Sequence, residues 1–408
     1  MVALKDSKDF RDNSYLFLMV GPQCNMWCRH CSQMPYKPCK GFLSDEVSDD
    51  VMTLIGNYIE YYQNRKGDFK KALISFWGGE SLLHWPLIRK VVPYFTEKYH
   101  MLDNLNVTFC LPSNGLLVTD EVVDFCNRYR VQLNLSFDAP YPFAVRGYVP
   151  EGTVERIKKI KNLCVLGSLN ALNCDLYAAL RCMREKFEES AYQIFFNFQL
   201  LYTFDMPEDI SGFDFGKVRD GVRMCRIAIQ KGDGWYGQAI MPLVESVFRP
   251  ELREFQRKYH LRHCVPGKRY LAVTLDGKVV RCHNDASLQC GTVDDSLDGI
   301  FKRSIDICYG LQGKAQTEKC ASCEHIDVCP GGCMMGVKDG NGYYKACDMY
   351  IKKIYSVLKE EVLALNGPLS ETDEKWFNDR LPFYDALVKD YAEGKYRNSI
   401  NGRKEGMD

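Results

Sequence analysis

The sequence predicts an α/β fold: a partial (β/α)6 TIM-like barrel followed by a small cysteine-rich domain and C-terminal helices. Three observations support this prediction. Short apolar runs alternate with helix-like stretches in the first half, cysteine and glycine are dense between His263 and Cys347, and the chain from Asp348 onward is charged and helix-like. The predicted units are a barrel at 12–205, a linking region at 206–260, a cysteine-rich domain at 261–350, and helices with a frayed tail at 351–408.

Six strand candidates, each followed by a helical pattern, underlie the barrel prediction. They are Tyr15–Val20, Ala72–Trp77, Val107–Leu111, Val131–Phe137, Leu169–Cys174 and Gln193–Leu200, the fifth having the weakest pattern. A helix is predicted over Thr153–Leu163, where Val154, Ile157, Ile160 and Leu163 lie near helical spacing. This alternation predicts parallel strands with right-handed crossovers, a class of fold that places its chemistry at the carboxyl ends of the strands.

The charge balance and the absence of long apolar runs limit the possible partners. The 408 residues contain 53 Lys and Arg and 53 Asp and Glu, so a net charge of zero gives no indication of a nucleic-acid or anionic-membrane partner. The first twenty residues are charged and lack a signal-peptide core, and the apolar runs are too short to span a membrane. We therefore expect a cytoplasmic protein with no nucleic-acid or membrane partner.

Nineteen cysteines are the most unusual feature of the composition. In a reducing cytosol they are not expected to form structural disulfides, so clustered cysteines predict metal ligation. Isolated cysteines on predicted strands and helices are interpreted as small core residues. The cysteines given no chemistry are Cys39, Cys110, Cys126, Cys164, Cys174, Cys182, Cys225 and Cys308.

The first cysteine cluster follows the first predicted strand. Cys24, Cys28 and Cys31 have C-x3-C-x2-C spacing. Three thiolates so close in the sequence can hold one cubane cluster and leave its fourth iron open to another ligand. The alternative is a structural zinc loop with Cys39 or His30 as the fourth ligand.

Polar motifs follow the next three strands. Gly78-Gly79-Glu80 combines glycines that let a backbone approach a ligand with a carboxylate that can accept from an ammonium group. Asn114 lies in a Ser-Asn-Gly turn, and Ser136 precedes Arg146, whose fork suits a carboxylate. Both glycine-containing motifs are also compatible with ordinary turns. Asn197 and Gln199 on the sixth strand are further candidates, although polar residues of the core would give the same pattern.

In their order along the strands, these motifs resemble the radical S-adenosylmethionine (SAM) superfamily. The resemblance implies that Cys24, Cys28 and Cys31 hold a [4Fe-4S] cluster whose open iron binds SAM. It implies SAM contacts at Gly78, Gly79, Glu80, Asn114, Ser136, Arg146 and Asn197. The spacing from Asp138 to Arg146 is shorter than is usual in the family.

The later cysteines resemble the SPASM extension of peptide-modifying radical SAM enzymes. The pattern runs from Cys264 through Gly277-x4-Cys282 to a C-x2-C-x5-C-x3-C run and a final cysteine. The resemblance assigns auxiliary cluster I to Cys264, Cys282 and Cys333, and auxiliary cluster II to Cys320, Cys323, Cys329 and Cys347. For cluster I, either one iron stays open or Cys290 or another donor completes it; Cys290 is equally well interpreted as a buried thiol. By itself, the cysteine run also suits zinc.

The resemblance implies an enzyme with three [4Fe-4S] clusters. It would cleave SAM reductively to a 5′-deoxyadenosyl radical and oxidatively modify a peptide or protein, for example by cross-linking a ribosomally made peptide. Flavodoxin or ferredoxin would supply the electron, and the peptide would dock on the C-terminal helices or bind without a leader.

Two alternatives remain open. One is a sulfatase-maturing, formylglycine-generating enzyme, although His283 occupies the position where those relatives carry aspartate. The other is a zinc-stabilised binding protein without catalysis, against which the intact first cysteine cluster and the Gly78-Gly79-Glu80 motif both count.

Overall fold

The computed structural model describes most of the barrel and parts of the later chain. The described residues are 13–28, 31, 46–64, 71–99, 106–140, 146–147, 149–168, 173–187, 191–197, 214–237, 270–315, 323 and 352–394. The strands are β1 Asn13–Gly21, β2 Lys71–Gly78, β3 Asn106–Ser113, β4 Gln132–Ser136, β5 Leu163–Ser168, β6 Ala191–Asn197, β7 Tyr270–Thr274, β8 Lys278–Cys282 and β9 Asp285–Thr292.

Helices follow most of these strands, as the sequence predicts. They are α1 Asp49–Gln63, α2 Trp85–Tyr99, α3 Asp120–Tyr129, α4 Glu151–Ile157, α5 Leu176–Phe187, α6 Phe215–Gln230, α7 Leu297–Ala315, α8 Lys352–Ala364 and α9 Glu371–Ala392. A short 3-10 turn, Ser81–His84, precedes α2. None of the described helices is both long and apolar enough to cross a membrane.

One sheet contains all the described strands, in the order β6-β5-β4-β3-β2-β1-β7-β8-β9. Strands β1 to β6 are parallel to their neighbours, which confirms the predicted partial barrel. Strand β7 pairs in parallel with the other side of β1, and β8 and β9 continue the sheet as antiparallel strands. The first strands of the predicted cysteine-rich region therefore extend the barrel sheet by backbone hydrogen bonds.

The register of these strands places Cys282 near the amino end of β1, whereas the first cysteine loop follows the carboxyl end of that strand. Tyr15 pairs with Tyr270, and Ala272 pairs with Val280 on the antiparallel strand β8. Extending that register by two residues sets Cys282 beside Tyr270 and level with Tyr15, near the amino end of β1. The loop that carries Cys24 follows the carboxyl end of the same strand.

The core lies between the sheet and the helices that cover one of its faces. Along β1, buried Leu16, Leu18 and Val20 alternate with half-buried side chains, which is the period expected of a strand with two different faces. Helix α1 contributes the buried Tyr58, whose hydroxyl donates to the carbonyl of Tyr15 at 3.0 Å. The half-buried side chains of β1 lie on the opposite face, toward the interior of the barrel.

The fifth strand was predicted in the wrong place. The structure has β5 at Leu163–Ser168, and most of the predicted strand, 169–172, lies outside the described residues. The predicted helix ends early, at Ile157, although Ile160 and Leu163 are buried as their spacing suggested. The apolar run that begins at Leu163 pairs between β4 and β6, so the burial of these positions reflects a helix, a turn and a strand in succession.

The C-terminal helices pack against α5 and α6 of the barrel, which confirms the predicted helical segment. The buried Arg226 of α6 is central to this contact. Its Nε donates to Glu361 at 2.8 Å, its Nη2 to Asp373 at 3.0 Å, and its Nη1 to Gln230 at 2.7 Å. Burial opposes ionisation of Asp373, but Arg223 and Arg226 hold the pKa of Asp373 below its ordinary value.

Replacing Arg226 should destabilise the packing of the C-terminal helices. Because Arg226 is 6% exposed, Arg226→Met leaves two carboxylates near an apolar side chain, and we expect the free energy of unfolding to fall by about 3 kcal/mol. Urea unfolding followed by circular dichroism measures this loss. The control is Lys375→Met, which breaks an exposed pair with Asp379 and should cost less than about 1 kcal/mol. Equal losses in the two variants would contradict the prediction.

Candidate metal and cofactor site

Four of the predicted motifs lie at one edge of the sheet. The first cysteine loop follows β1, Gly78-Gly79-Glu80 ends and follows β2, Asn114 follows β3, and Ser136 ends β4. Because these strands are parallel, their carboxyl ends share one edge. The structure thus brings together residues that are far apart in the sequence.

Gly78 and Gly79 allow the cysteine loop to pass directly over the end of β2. The amide of Gly79 donates to the carbonyl of Gly21 at 2.9 Å, and the amide of Glu80 donates to the carbonyl of Gln23 at 2.7 Å. A Cβ on Gly78 would overlap the carbonyl oxygen of Gly21, and one on Gly79 would overlap that of Gln23. The sequence suggested that these glycines admit a ligand; in the structure they admit the backbone of the cysteine loop.

The carboxylate of Glu80 is buried and held by neutral donors. Its Oε1 accepts from the Leu82 amide at 3.1 Å and the Ser113 hydroxyl at 2.8 Å, and its Oε2 accepts from the Asn114 amide at 2.7 Å. Burial raises the pKa of Glu80, and these three donors partly offset that rise. A carboxylate offers about four acceptor positions, so three donors leave room for one more, such as an ammonium hydrogen.

Asn114 connects Glu80 to the first cysteine loop. Besides its backbone bond to Glu80, its side-chain amide donates to Asn25 Oδ1 at 2.7 Å and lies 3.7 Å from the Sγ of Cys24. The amide of Met26 also lies 3.4 Å from the same sulfur. Two amide groups therefore direct their hydrogens at the sulfur of Cys24, and this arrangement suits a thiolate.

Arg146 lies beside the second cysteine of the loop. Its Nε donates to the fully buried Asp138 at 3.0 Å, and its Nη1 is 3.8 Å from the Sγ of Cys28. Burial opposes the charge, but Asp138, Cys28 and Cys31 raise the pKa of Arg146 above its ordinary value. The sequence predicted that Arg146 contacts SAM, and this contact stays a prediction; the structure shows Arg146 beside the first cysteine loop, with Asp138 as its partner.

The donor set of the loop fits an iron–sulfur cluster. Cys24, Cys28 and Cys31 bring three thiols to this loop, and the amide of Cys31 donates to the carbonyl of Cys28 at 3.1 Å, which holds these two cysteines close together. Among the described residues, no three metal-binding side chains converge tightly enough for a single ion. A cubane binds each cysteine through a different iron, so its thiols need not converge on one point. The zinc alternative's fourth ligands, Cys39 and His30, lie outside the described residues.

Ser136 and Asn197 end strands β4 and β6, so their backbones reach the same edge as the other motifs. Ser136 is half-buried, and Asn197 is in register with Ser168 at the end of β5. Gln199 lies outside the described residues. Their contacts with SAM stay predictions.

The structure describes two of the seven cysteines predicted to bind the auxiliary clusters. Cys282 ends β8 and is buried, and Cys323 is half-buried. The others, Cys264, Cys320, Cys329, Cys333 and Cys347, lie outside the described residues. Cys290 is packed in the core and its thiol lies 3.4 Å from the carbonyl of Val279; burial raises its pKa to about 11. This geometry favours the buried-thiol interpretation of Cys290.

The isolated cysteines on strands and helices are core residues, as predicted. Those that the structure describes as buried are Cys110, Cys126, Cys164, Cys174, Cys182 and Cys225. Cys39 and the side chain of Cys308 lie outside the described part of the chain.

An aromatic cluster around His283 was missed by the sequence reasoning. The imidazole stacks on Phe17 with ring centroids 4.5 Å apart, and it meets Trp77 at 4.1 Å and Tyr270 at 5.5 Å. Burial lowers the pKa of His283 to about 3. The three aromatic residues come from β1, β2 and β7, so only the order of strands in the sheet, which the sequence did not predict, brings them together.

The chain is similar to known proteins in sequence and in fold. Residues 18–180 match the sequence model of the Radical SAM superfamily. The radical SAM cyclopropyl synthase TigE of Paramaledivibacter caminithermalis is 23% identical over 363 residues, covering 84% of this chain and 74% of TigE. The structure of native anSMEcpe with bound AdoMet and Cp18Cys peptide aligns with a TM-score of 0.62 at 16% identity, covering 86% of this chain and 98% of the other. The structure of Streptococcus suis SuiB bound to precursor peptide SuiA aligns with a TM-score of 0.55 at 13% identity, covering 83% and 76%.

A methyl group on Gly79 should displace the first cysteine loop. Gly79→Ala forces the carbonyl of Gln23 away, so we expect the variant to bind about four fewer irons per chain after anaerobic reconstitution. Iron analysis measures the loss. The matched control is Gly152→Ala, because a Cβ at that position meets no atom within 4 Å. Wild-type iron content in Gly79→Ala would contradict this account of the glycine pair.

Proposed function

Because residues 18–180 match the sequence model of the Radical SAM superfamily, we propose that this chain cleaves SAM reductively and uses the resulting radical to modify a peptide oxidatively. The observation that carries the proposal is the connection between the first cysteine loop and the buried carboxylate of Glu80, made through Asn114. It joins three thiols that suit an iron–sulfur cluster to an anion that suits the ammonium group of SAM.

The residues of the site bind and orient the two cofactors. Cys24, Cys28 and Cys31 hold a [4Fe-4S] cluster with one open iron, and Glu80 accepts a hydrogen bond from the amino group of SAM. When bound, the cluster and SAM would supply radical chemistry that removes hydrogen from a substrate, and the auxiliary clusters would supply an electron acceptor.

Two auxiliary [4Fe-4S] clusters belong to the proposal. Cys264, Cys282 and Cys333 hold the inner cluster, and Cys320, Cys323, Cys329 and Cys347 hold the outer one. The continuity of β7 and β8 with the barrel sheet supports this assignment, because it attaches Cys282 rigidly to the catalytic unit. In this proposal Cys290 is not a ligand of cluster I, because its thiol is packed against the carbonyl of Val279. One iron of cluster I can then bind another donor or a substrate group.

A peptide substrate is supported by the structural relatives. SuiB was solved with a precursor peptide and anSMEcpe with a Cp18Cys peptide, and both share the fold of this chain. TigE is a radical SAM cyclopropyl synthase. We propose a cross-link or a related bond within a ribosomally made peptide, with the electron delivered by flavodoxin or ferredoxin in the cytoplasm.

Iron content and SAM cleavage test the cofactor assignment. We expect about twelve irons per chain with matching sulfide. With SAM and a strong reductant, the protein should release 5′-deoxyadenosine. Cys24→Ala should reduce this release to background, because the first cluster loses a ligand. The matched control, Cys126→Ala, removes a buried core thiol and should retain the activity. Zinc in place of iron would overturn the proposal in favour of a non-catalytic binding protein.

The product distinguishes the proposed modification from formylglycine formation. Incubation with a short precursor peptide encoded beside the gene should yield a product lighter by two hydrogens and no aldehyde. A parallel incubation with a sulfatase-derived peptide containing cysteine or serine should leave that peptide unchanged. Mass spectrometry measures both products, and an aldehyde in the sulfatase peptide would support the alternative instead.

A further inference from the structure

Asp138 and Arg146 form an ion pair whose orientation is fixed by the fold. Oδ1 of Asp138 accepts from the amide of Ser168 at 2.8 Å, and Oδ2 accepts from Nε of Arg146 at 3.0 Å. Asp138 follows β4 and Ser168 ends β5, so the carboxylate is anchored between two neighbouring strand ends. With Asp138 fully buried and the side chain of Arg146 only 12% exposed, the guanidinium is held where the sheet places it.

The positive end of this pair is directed at a cysteine of the first loop. Nη1 of Arg146 lies 3.8 Å from the Sγ of Cys28, whereas Asp138 lies on the other side of the guanidinium, bound to Nε. The nearer charge dominates a Coulomb interaction, and Cys28 is also buried, so solvent screens it little. The thiolate of Cys28 therefore experiences a net positive potential from the pair.

We propose that the Asp138–Arg146 pair raises the reduction potential of the cluster held by Cys24, Cys28 and Cys31. The inference rests on the proposed function, because it requires that this loop holds an iron–sulfur cluster. Reduction adds a negative charge to the cluster, and a cation beside a ligating sulfur stabilises the reduced state more than the oxidised state. Arg146 is a tuning residue in this proposal, in addition to the contact with SAM that the family resemblance implies.

The potential of the SAM-binding cluster can be measured apart from the auxiliary clusters. Among the reduced-cluster signals in electron paramagnetic resonance, the one that changes on addition of SAM belongs to the cluster held by Cys24, Cys28 and Cys31. Potentiometric titration of that signal in SAM-free holoenzyme should give a more negative midpoint for Arg146→Gln than for the wild type. Arg146→Lys, which keeps the charge, should shift the midpoint less.

Two further variants make the result decisive. Asp138→Asn combined with Arg146→Gln replaces the ion pair by an amide pair without leaving a buried carboxylate unpaired. It should also shift the midpoint to a more negative value, but by less than Arg146→Gln alone, because the negative charge of Asp138 is removed as well. Arg181→Gln breaks a more exposed ion pair, in which Arg181 of α5 donates to Asp385 of α9 at 2.6 Å, and it should leave the midpoint unchanged.

The outcomes separate this proposal from the proposed function. An unchanged midpoint in Arg146→Gln together with weaker SAM binding, measured by calorimetry, would overturn the tuning role and leave Arg146 as a SAM contact. Failure of both the single and the double variant to load iron, with Arg181→Gln loading normally, would show that the pair only holds the loop and would also overturn it. A wild-type protein without iron would instead refute the proposed function.

Discussion

The buried carboxylate of Glu80 is the constraint on which the arrangement of the site depends. The backbone amide of Glu80 donates to the loop after β1. Its two carboxylate oxygens accept from Ser113, which ends β3, and from Asn114, which follows it. A buried carboxylate is costly unless its acceptor positions are filled, so the fold must bring these loops together to satisfy it. These hydrogen bonds within the chain hold the loops in place, so folding itself meets part of the entropy cost of building the site.

The order of motifs along the strands was predictable, because consecutive parallel strands present their carboxyl ends at one edge whatever the details of their packing. Contacts between strands were not predictable from local patterns. The fit of Gly79 under Gln23, the pairing of Asp138 with Arg146 and the stacking of His283 on Phe17 all depend on which strands are neighbours. The misplaced fifth strand has a related cause, since buried positions at helical spacing continue across a turn into β5.

Among the nineteen cysteines, the surroundings of the described ones help to separate core thiols from candidate ligands. Burial raises the pKa of the Cys110, Cys126 and Cys164 thiols to about 12, so they stay protonated and unsuited to binding metal. In contrast, Cys24 and Cys28 lie in a loop where an amide and a guanidinium approach their sulfurs. Spacing in the sequence also separated the core cysteines from the clustered ones. Core cysteines occur at the periods of strands and helices, whereas the candidate ligands lie close together in loops.

In the proposed function, the register of β1, β7 and β8 sets the distance that an electron must travel from the first cysteine loop to auxiliary cluster I. Tyr15, level with Cys282, and Gly21, which leads into the first cysteine loop, are six residues apart on β1, a span of about 20 Å at about 3.3 Å per residue. The half-buried face of β1, with Phe17 packed against His283, lies along this span. In the proposed function, a peptide lying against that face reaches from the site of hydrogen removal toward the site of electron exit. The peptide would then span the distance between these two sites, and the backbone hydrogen bonds of the sheet hold that distance fixed.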